Sequence, residues 1–444
     1  MNAGLAADVR ATYTAGFAHA LATQPTNPAW LLAARQQALR EFLERGWPSS
    51  KQEEWRFTDV SPLLKAPWLP AAPATAVSTY DEDLVELGHG MGHHMVFVDG
   101  RHVAGQQAWT PSPPALVVQP LSAAIRNDAQ LVRSAMHQHL PSGNAFTALN
   151  TAFMTDGAFV HVPAGLQVDA PIFLVFLAAT EGGPSYPRTV VVAGANSRAT
   201  LVEVHLGADR RATLSDALTC IELGPGARLA FHSICRPSSL GSHVGHLAVT
   251  QKAGSDFRAH SLALDGRLVR NDAHAVLAEE GCSCQLDGVY LASGTSHIDN
   301  QTSIDHRAPG CTSRESYRGV VAGQAQAVWS GRAVVRPGAR GTDARQTNRN
   351  LVLSDGATVH AKPHLEIFAS DVKCSHGATS GRLDAEALFY LRARGIGERE
   401  ARQILIDAFL RDGLGAVAAP ALRAELEALL AGRTRALAQE GAAA

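Results

Sequence analysis

GVVAGQAQAVWSGRAVVRPGARGTDARQTNRNLVLSDGATVH, residues 319–360, decides the fold. Runs of Val, Leu and Ala, none longer than a short strand, are cut by small polar turns such as Asp355-Gly356. The same texture reaches back to about residue 150, in FVHVPAG (159–165), PIFLVFLAA (171–179), ATLVEVHLG (199–207) and HAVLAEEGCSC (274–284). Strand-sized segments recur at roughly 8–12 residue steps for about 200 residues. Almost no helical pattern intervenes, which argues against βαβ crossovers and a Rossmann-like sheet. A sandwich, barrel, propeller or stacked β-helix remains. Three features favour the β-helix. The run is too long for one sandwich, the strands lack uniform hairpin turns, and the apolar positions are often small, which suits coils that each bury a neighbour's inner face. The sequence shows no strict repeat motif.

Outward from this core the period becomes helical. A first amphipathic segment covers about Leu5 to Leu21. A second begins at Asn27-Pro28, carries Leu31, Ala34, Ala38, Leu39 and Phe42 on one face, and stops near Gly46. SSKQEEWRFTDVSPLLKA (49–66) reads as a docking strip around Trp55 and Phe57, 67–83 as an extended linker, and 93–135 as strands with turns at Asp99-Gly100 and Pro111-Ser112-Pro113. Beyond the core, Asp384 can cap a helix carrying Ala387, Leu388 and Leu391. A second helix from Glu398 presents Ala401, Ile404, Leu405, Ala408 and Phe409 as a stripe, and 418–439 repeats the pattern with Leu422, Leu426, Leu429 and Leu430. The expected organisation is an N-terminal helical and mixed domain over 1–135, a mainly β solenoid over 136–380 and a C-terminal helical domain over 381–444.

Length and composition agree with more than one domain: 444 residues exceed one simple core. Lys plus Arg is 39 against 41 Asp plus Glu, so the net charge of -2 gives no strong pull toward nucleic acid or an anionic membrane. No run reaches eighteen apolar residues, and the opening MNAGLAADVR lacks a signal-peptide pattern, so a cytoplasmic location is expected. Six cysteines do not make a disulfide framework and suit free thiols in a reducing compartment. Neither a Walker A loop nor a dinucleotide-binding fingerprint occurs.

The chemistry is concentrated in DVKCSHGATSG (371–381). In an extended segment Cys374 and His376, at i and i+2, share a face. Thiolate and imidazole are good ligands for iron, zinc or a cluster. The pair supplies only two ligands, so a closed site needs help from elsewhere, and the bland alternative is a buried thiol beside a satisfied histidine. Cys282 and Cys284 fit small buried thiols between coils better than a metal pair. Glu366 and Asp371 add carboxylates near Cys374, which leaves two alternatives: a mixed hard–soft metal site, or an edge in which they are ion-paired with Lys362 or Lys373. His232, His243, His246, His260, His274, His297 and His306 recur through the solenoid, either as a transient metal path or, the favoured expectation, as ordinary polar outer surface.

NRNLVLSDGATVHAKPHLEIFASDVKCSHGATSGRLDAEALFYLRARGI followed by EREARQILIDAF resembles the C-terminal core of the SufB/SufD family of iron–sulfur cluster assembly proteins. NTAFMTDGAFVHVPAG and PRTVVVAGANS carry the resemblance back to residue 145, and KQEEWRFTDV looks like the SufD branch rather than SufB. The resemblance implies a right-handed parallel β-helix between helical terminal domains, and a non-enzymatic scaffold that pairs with a SufB-like subunit and holds a SufC-like ATPase. It implies that His376 and the accompanying Cys374 stand at that subunit interface, where transient iron or a nascent cluster gathers, with no cofactor held tightly by the isolated chain. The helices over 384–410 match the region that docks the ATPase. Within them, our own partition makes Phe389, Tyr390 and Leu391 packing residues and Arg392, Arg394 and Arg402 polar contacts. A homodimer of the isolated chain is left open. So are a SufB-type main scaffold and a purely structural partner. A polysaccharide-active enzyme is remote, since only 6 Trp and 6 Tyr are present.

Overall fold

The computed structural model describes residues 5–23, 27–65, 67–70, 91–104, 113–137 and 144–440. From Gly157 to Gly381 the chain winds as a β-solenoid, with successive strands falling alternately into two sheets. Within each sheet neighbouring coils pair in parallel and in unbroken register, as in Arg228 with Asp256, Asp256 with Ser283, Ser283 with Thr312, Thr312 with Asp343, and Asp343 with Lys373. Alternate side chains therefore stack in columns. The inward columns, among them Leu229, Phe257 and Cys284, and Val269, Ile298 and Ala327, build one continuous core.

One corner carries the repeat that strand-level inspection misses. Gly226, Gly254, Gly281, Gly310 and Gly341 all have φ between 63° and 71° and each donates its N–H to the coil above, to Ala253, Glu280, Pro309, Arg340 and Asp371 respectively. Glycine holds that left-handed turn without strain, and Asn196 (φ 56°), of a residue type that tolerates it, takes the same place one coil below Gly226. The next residue in each coil is small and buried: Ala227, Ser255, Cys282, Cys311 and Thr342. Cys282 and Cys311 are rungs of this small-residue ladder. Aromatic rings need similar room inside, since a Cβ at Gly319 would lie 2.0 Å from the Tyr290 ring.

The outer faces of both sheets are covered along much of their length. On one, Trp55 packs flat on Phe146, with ring centroids 5.4 Å apart, and takes the Arg270 guanidinium on its face at 3.7 Å. Arg270 is buried between Asp272 and Asp299, and Thr58 donates to Asp299, so strip 53–58 is clamped to the solenoid by charge, hydrogen bond and stacking together. On the other face lie the helices Glu398–Gly413 and Pro420–Glu440. They follow the helix Ala385–Ala393, which is capped by Asp384, whose carboxylate accepts from Glu386 N and Ala387 N. Leu410, Leu422, Leu426 and Leu430 are buried against Val202, Ile234, Leu262 and Val289. Each such leucine contributes roughly 1.5–3 kcal/mol.

Some local expectations change. Pro28 is the cap of its helix, Ala29–Arg45, and not its first residue. Residues 121–127 and 129–137 are helices, although Asp99-Gly100 does turn a hairpin. Pro111 and Ser112, and most of the expected linker, lie outside the described residues. In Glu398–Gly413 the buried residues are Ala401, Ile406 and Leu410, while Ile404 is 40% exposed, because the helix lies across the strands Ser283–Ala292 and Thr312–Val321 on a rotated face.

Candidate functional site at the open end of the solenoid

The two ends of the stack differ. At the N-terminal end the sheets finish in short antiparallel strands, Arg101–His102 and Val117–Pro120. At the other end the last strand of each sheet, Thr358–Ile367 and Lys373–Gly381, pairs on one side only. Among the described residues no coil lies above the last one, and its inward residues are uncovered. Ile367 and Phe368 are exposed, and Val359, Ala361 and Leu365 are only half-buried. Pro363 sits in this edge strand, where the missing N–H is tolerated.

Cys374 and His376 lie on that last strand, opposite Ala344 and Gln346 of the coil below, both buried. They share the inward face. Cys374 is half-buried and His376 is exposed. Burial, and secondarily the Asp343 carboxylate, raises the Cys374 thiol above its ordinary pKa, which keeps it protonated until a metal or cationic partner displaces the proton. Among the described residues no group of three or more His, Cys, Asp or Glu is placed to hold a metal ion. A thiolate and an imidazole from one chain leave a tetrahedral site half filled.

Glu366 is ion-paired, but with Arg332 at 2.8 Å and His364 at 3.2 Å, while Lys362 reaches Glu53. The second predicted set sits apart from the last strand, on the helix Ala385–Ala393 and its successor. Phe389 is 73% and Tyr390 58% exposed, Leu391 is half-buried, and Arg392 pairs with Glu398. Arg394 lies over the Tyr390 ring at 4.9 Å, and Arg402 is half-buried.

The expectation of outer polar surface holds for His274, which is exposed, and in part for His297, which is half-buried, but five histidines overturn it. His232, His243, His246, His260 and His306 are buried, because the outer faces are covered and because His243 and His306 face inward. His260 Nε2 meets the Gly413 carbonyl at 3.2 Å under the C-terminal helices. Burial lowers His260 to about 4 and His246 to about 3. Not foreseen at all is the polar inner column under the mouth. Gln346 donates to Glu315 at 2.9 Å, Thr302 donates to the other oxygen, and burial pushes Glu315 up to about 7. Beside it, Tyr290, Asn348 and Asn350 form a second buried network. Period-two alternation alone would have placed these polar residues on the inner face.

A solenoid with helical lobes on its flanks and a thiol and an imidazole on its last coil places the chain among the β-solenoid proteins. Comparison with known proteins gives the family. Residues 9–174 match the SufBD protein N-terminal region and residues 176–409 the SufBD core domain of SUF system FeS cluster assembly. A SufBD family iron–sulfur cluster assembly protein of Synechocystis is 30% identical over 397 residues, covering 87% of each chain. The iron–sulfur cluster assembly protein SufD of Escherichia coli is 28% identical over 378 residues, 84% of this chain and 86% of its own. A SufBD family protein of Mycobacterium tuberculosis is 28% identical over 376 residues, 80% of this chain and 91% of its own. The chain belongs to the SufBD family.

Proposed function

We propose that this protein is a scaffold or accessory subunit of a SUF cluster assembly complex, working in the cytoplasm and doing no catalysis of its own. The observation that carries the proposal is the bare end of the stack. Two strands with unpaired edges invite pairing by another β-helical chain, and the same end presents Cys374 and His376. A SufB-like subunit seated there would supply the remaining ligands, so that iron or a nascent cluster, as cargo, is gathered at the seam and released from it. The exposed Phe389, Tyr390 and Ile404 suit a second interface, for a SufC-like ATPase, since large apolar side chains left in water on one lobe mark docking surfaces. Without its natural partner, the bare end can pair two copies of this chain.

Cluster yield in cells carrying His376→Ala tests the proposal. Yield should fall while the level of the protein stays normal. Unimpaired assembly would remove His376 from the mechanism. Anaerobic iron titration of the reconstituted complex, with and without both side chains, separates coordination from packing: a purely structural seam would bind the same iron in both.

A further inference from the structure

Directly beneath His376 in its column is Gln346, and beneath that Glu315. Gln346 is 1% exposed and points inward between the outward residues Arg345 and Thr347. Once Glu315 is ionised, above about pH 7, the orientation of the Gln346 amide is set by its donor half, because Nε2 meets a carboxylate oxygen of Glu315 at 2.9 Å. Turning the amide over would set two acceptors face to face whenever Glu315 is ionised. Gly331 leaves the space, since a Cβ there would lie 3.2 Å from Gln346 Nε2. The acceptor half is different: Oε1 is buried and has no hydrogen-bond partner. An unmatched buried carbonyl is costly, about 1–3 kcal/mol, and in native proteins such an atom asks for a reason. The next group up the column is the imidazole of His376.

We propose that Gln346 is a positioning residue for His376. When a second β-helical chain closes the open end, Oε1 accepts the N–H of one ring nitrogen, and the other nitrogen is left with its lone pair toward the seam. A neutral imidazole has one N–H and one free lone pair, so fixing the first assigns the second. Histidines that hold metals almost always donate their other N–H to a carbonyl or carboxylate in this way. The inference deepens the role proposed above for His376 and rests on it.

The test is an anaerobic Co(II) titration of the full chain assembled with its SufB-like and ATPase partners, followed by the visible absorption of thiolate- and imidazole-bound Co(II). Q346M, close in volume, removes the acceptor and should weaken Co(II) binding by about 10–100-fold. Q346E keeps an acceptor and should restore most of the affinity. E315Q leaves Oε1 of Gln346 untouched and should bind as the natural chain does. Should Q346M not assemble, Q346N, which draws the acceptor back by one methylene, takes its place. Natural affinity in Q346M, with binding lost in H376A, overturns the inference and leaves the role of His376 standing. A loss in E315Q equal to that in Q346M shows a merely structural column and also overturns it. Natural affinity in H376A sinks the underlying role itself.

Discussion

Replacing Glu315 with Gln should stabilise the protein at alkaline pH and not at acid pH. Glu315 is sealed inside the solenoid, and burial raises its carboxyl from 4.5 to about 7, against the lowering influence of the Thr302 and Gln346 hydrogen bonds. A raised carboxyl keeps its proton in the folded chain while the unfolded chain releases it. The stabilisation from the neutral form is therefore complete below the unfolded value and is lost as pH rises through the folded one. A tenfold difference in proton affinity between the folded and unfolded chains corresponds to about 1.36 kcal/mol, so the window from 4.5 to about 7 amounts to ~3 kcal/mol. Gln is neutral throughout: its carbonyl can still accept from Gln346, while its NH2 replaces the other oxygen and donates to the Thr302 hydroxyl, which can turn to the Ser330 carbonyl. Urea unfolding of both proteins at pH 4.5, 6, 7 and 8 should show the difference in stability moving toward E315Q by ~3 kcal/mol across the series. Parallel profiles for the two proteins would mean that Glu315 is ionised in place, and the account of a sealed, protonated inner column would be wrong.

Trp55→Ala removes the ring that joins Arg270 to Phe146 and should cost about 3–5 kcal/mol. Thermal unfolding and proteolysis within residues 53–58 would report it, and an unchanged midpoint would refute the clamp. Acid should loosen the C-terminal lobe through His260. Its depressed folded pKa, caused by burial, gives stability that is present above 6.5 and lost as pH falls through about 4. Limited proteolysis of the 398–440 helices down a pH series should show earlier release in the natural chain than in H260Q, and identical profiles would exclude His260. The double substitution F389A/Y390A touches exposed rings, so the melting temperature should stay within a degree or so, while affinity for the ATPase partner, measured by calorimetry, drops at least tenfold. Unchanged affinity would move that interface elsewhere.

The solenoid was legible because its strands are short, its breaks frequent and its apolar residues small. The corner repeat is hidden because one glycine followed by any of Ala, Ser, Cys or Thr is too weak a motif to stand out until Gly226, Gly254, Gly281, Gly310 and Gly341 are seen in one column. The histidines are misleading for a related reason. Outer polar positions suggest water, but whether an outer face meets water depends on lobes distant in sequence, such as the helix end at Gly413 over His260. Likewise nothing near Trp55 announces Arg270, its partner far along the chain. Cys374 and His376 were legible as a pair because spacing fixes their common face. Gln346 and Glu315 were not, because a polar residue at an inward position looks like noise until its column is known.

The asymmetry of the two ends governs how far association can go. A rod adhesive at both tips would polymerise, and one with neither would stay alone. Here the tip closed by Arg101–His102 and Val117–Pro120 turns its backbone back on itself, while Thr358–Ile367 and Lys373–Gly381 leave the opposite tip sticky. The first tip offers edges of only two and four residues against ten and nine at the other, so joining in the strand direction is favoured at one tip and growth into a fibre is disfavoured.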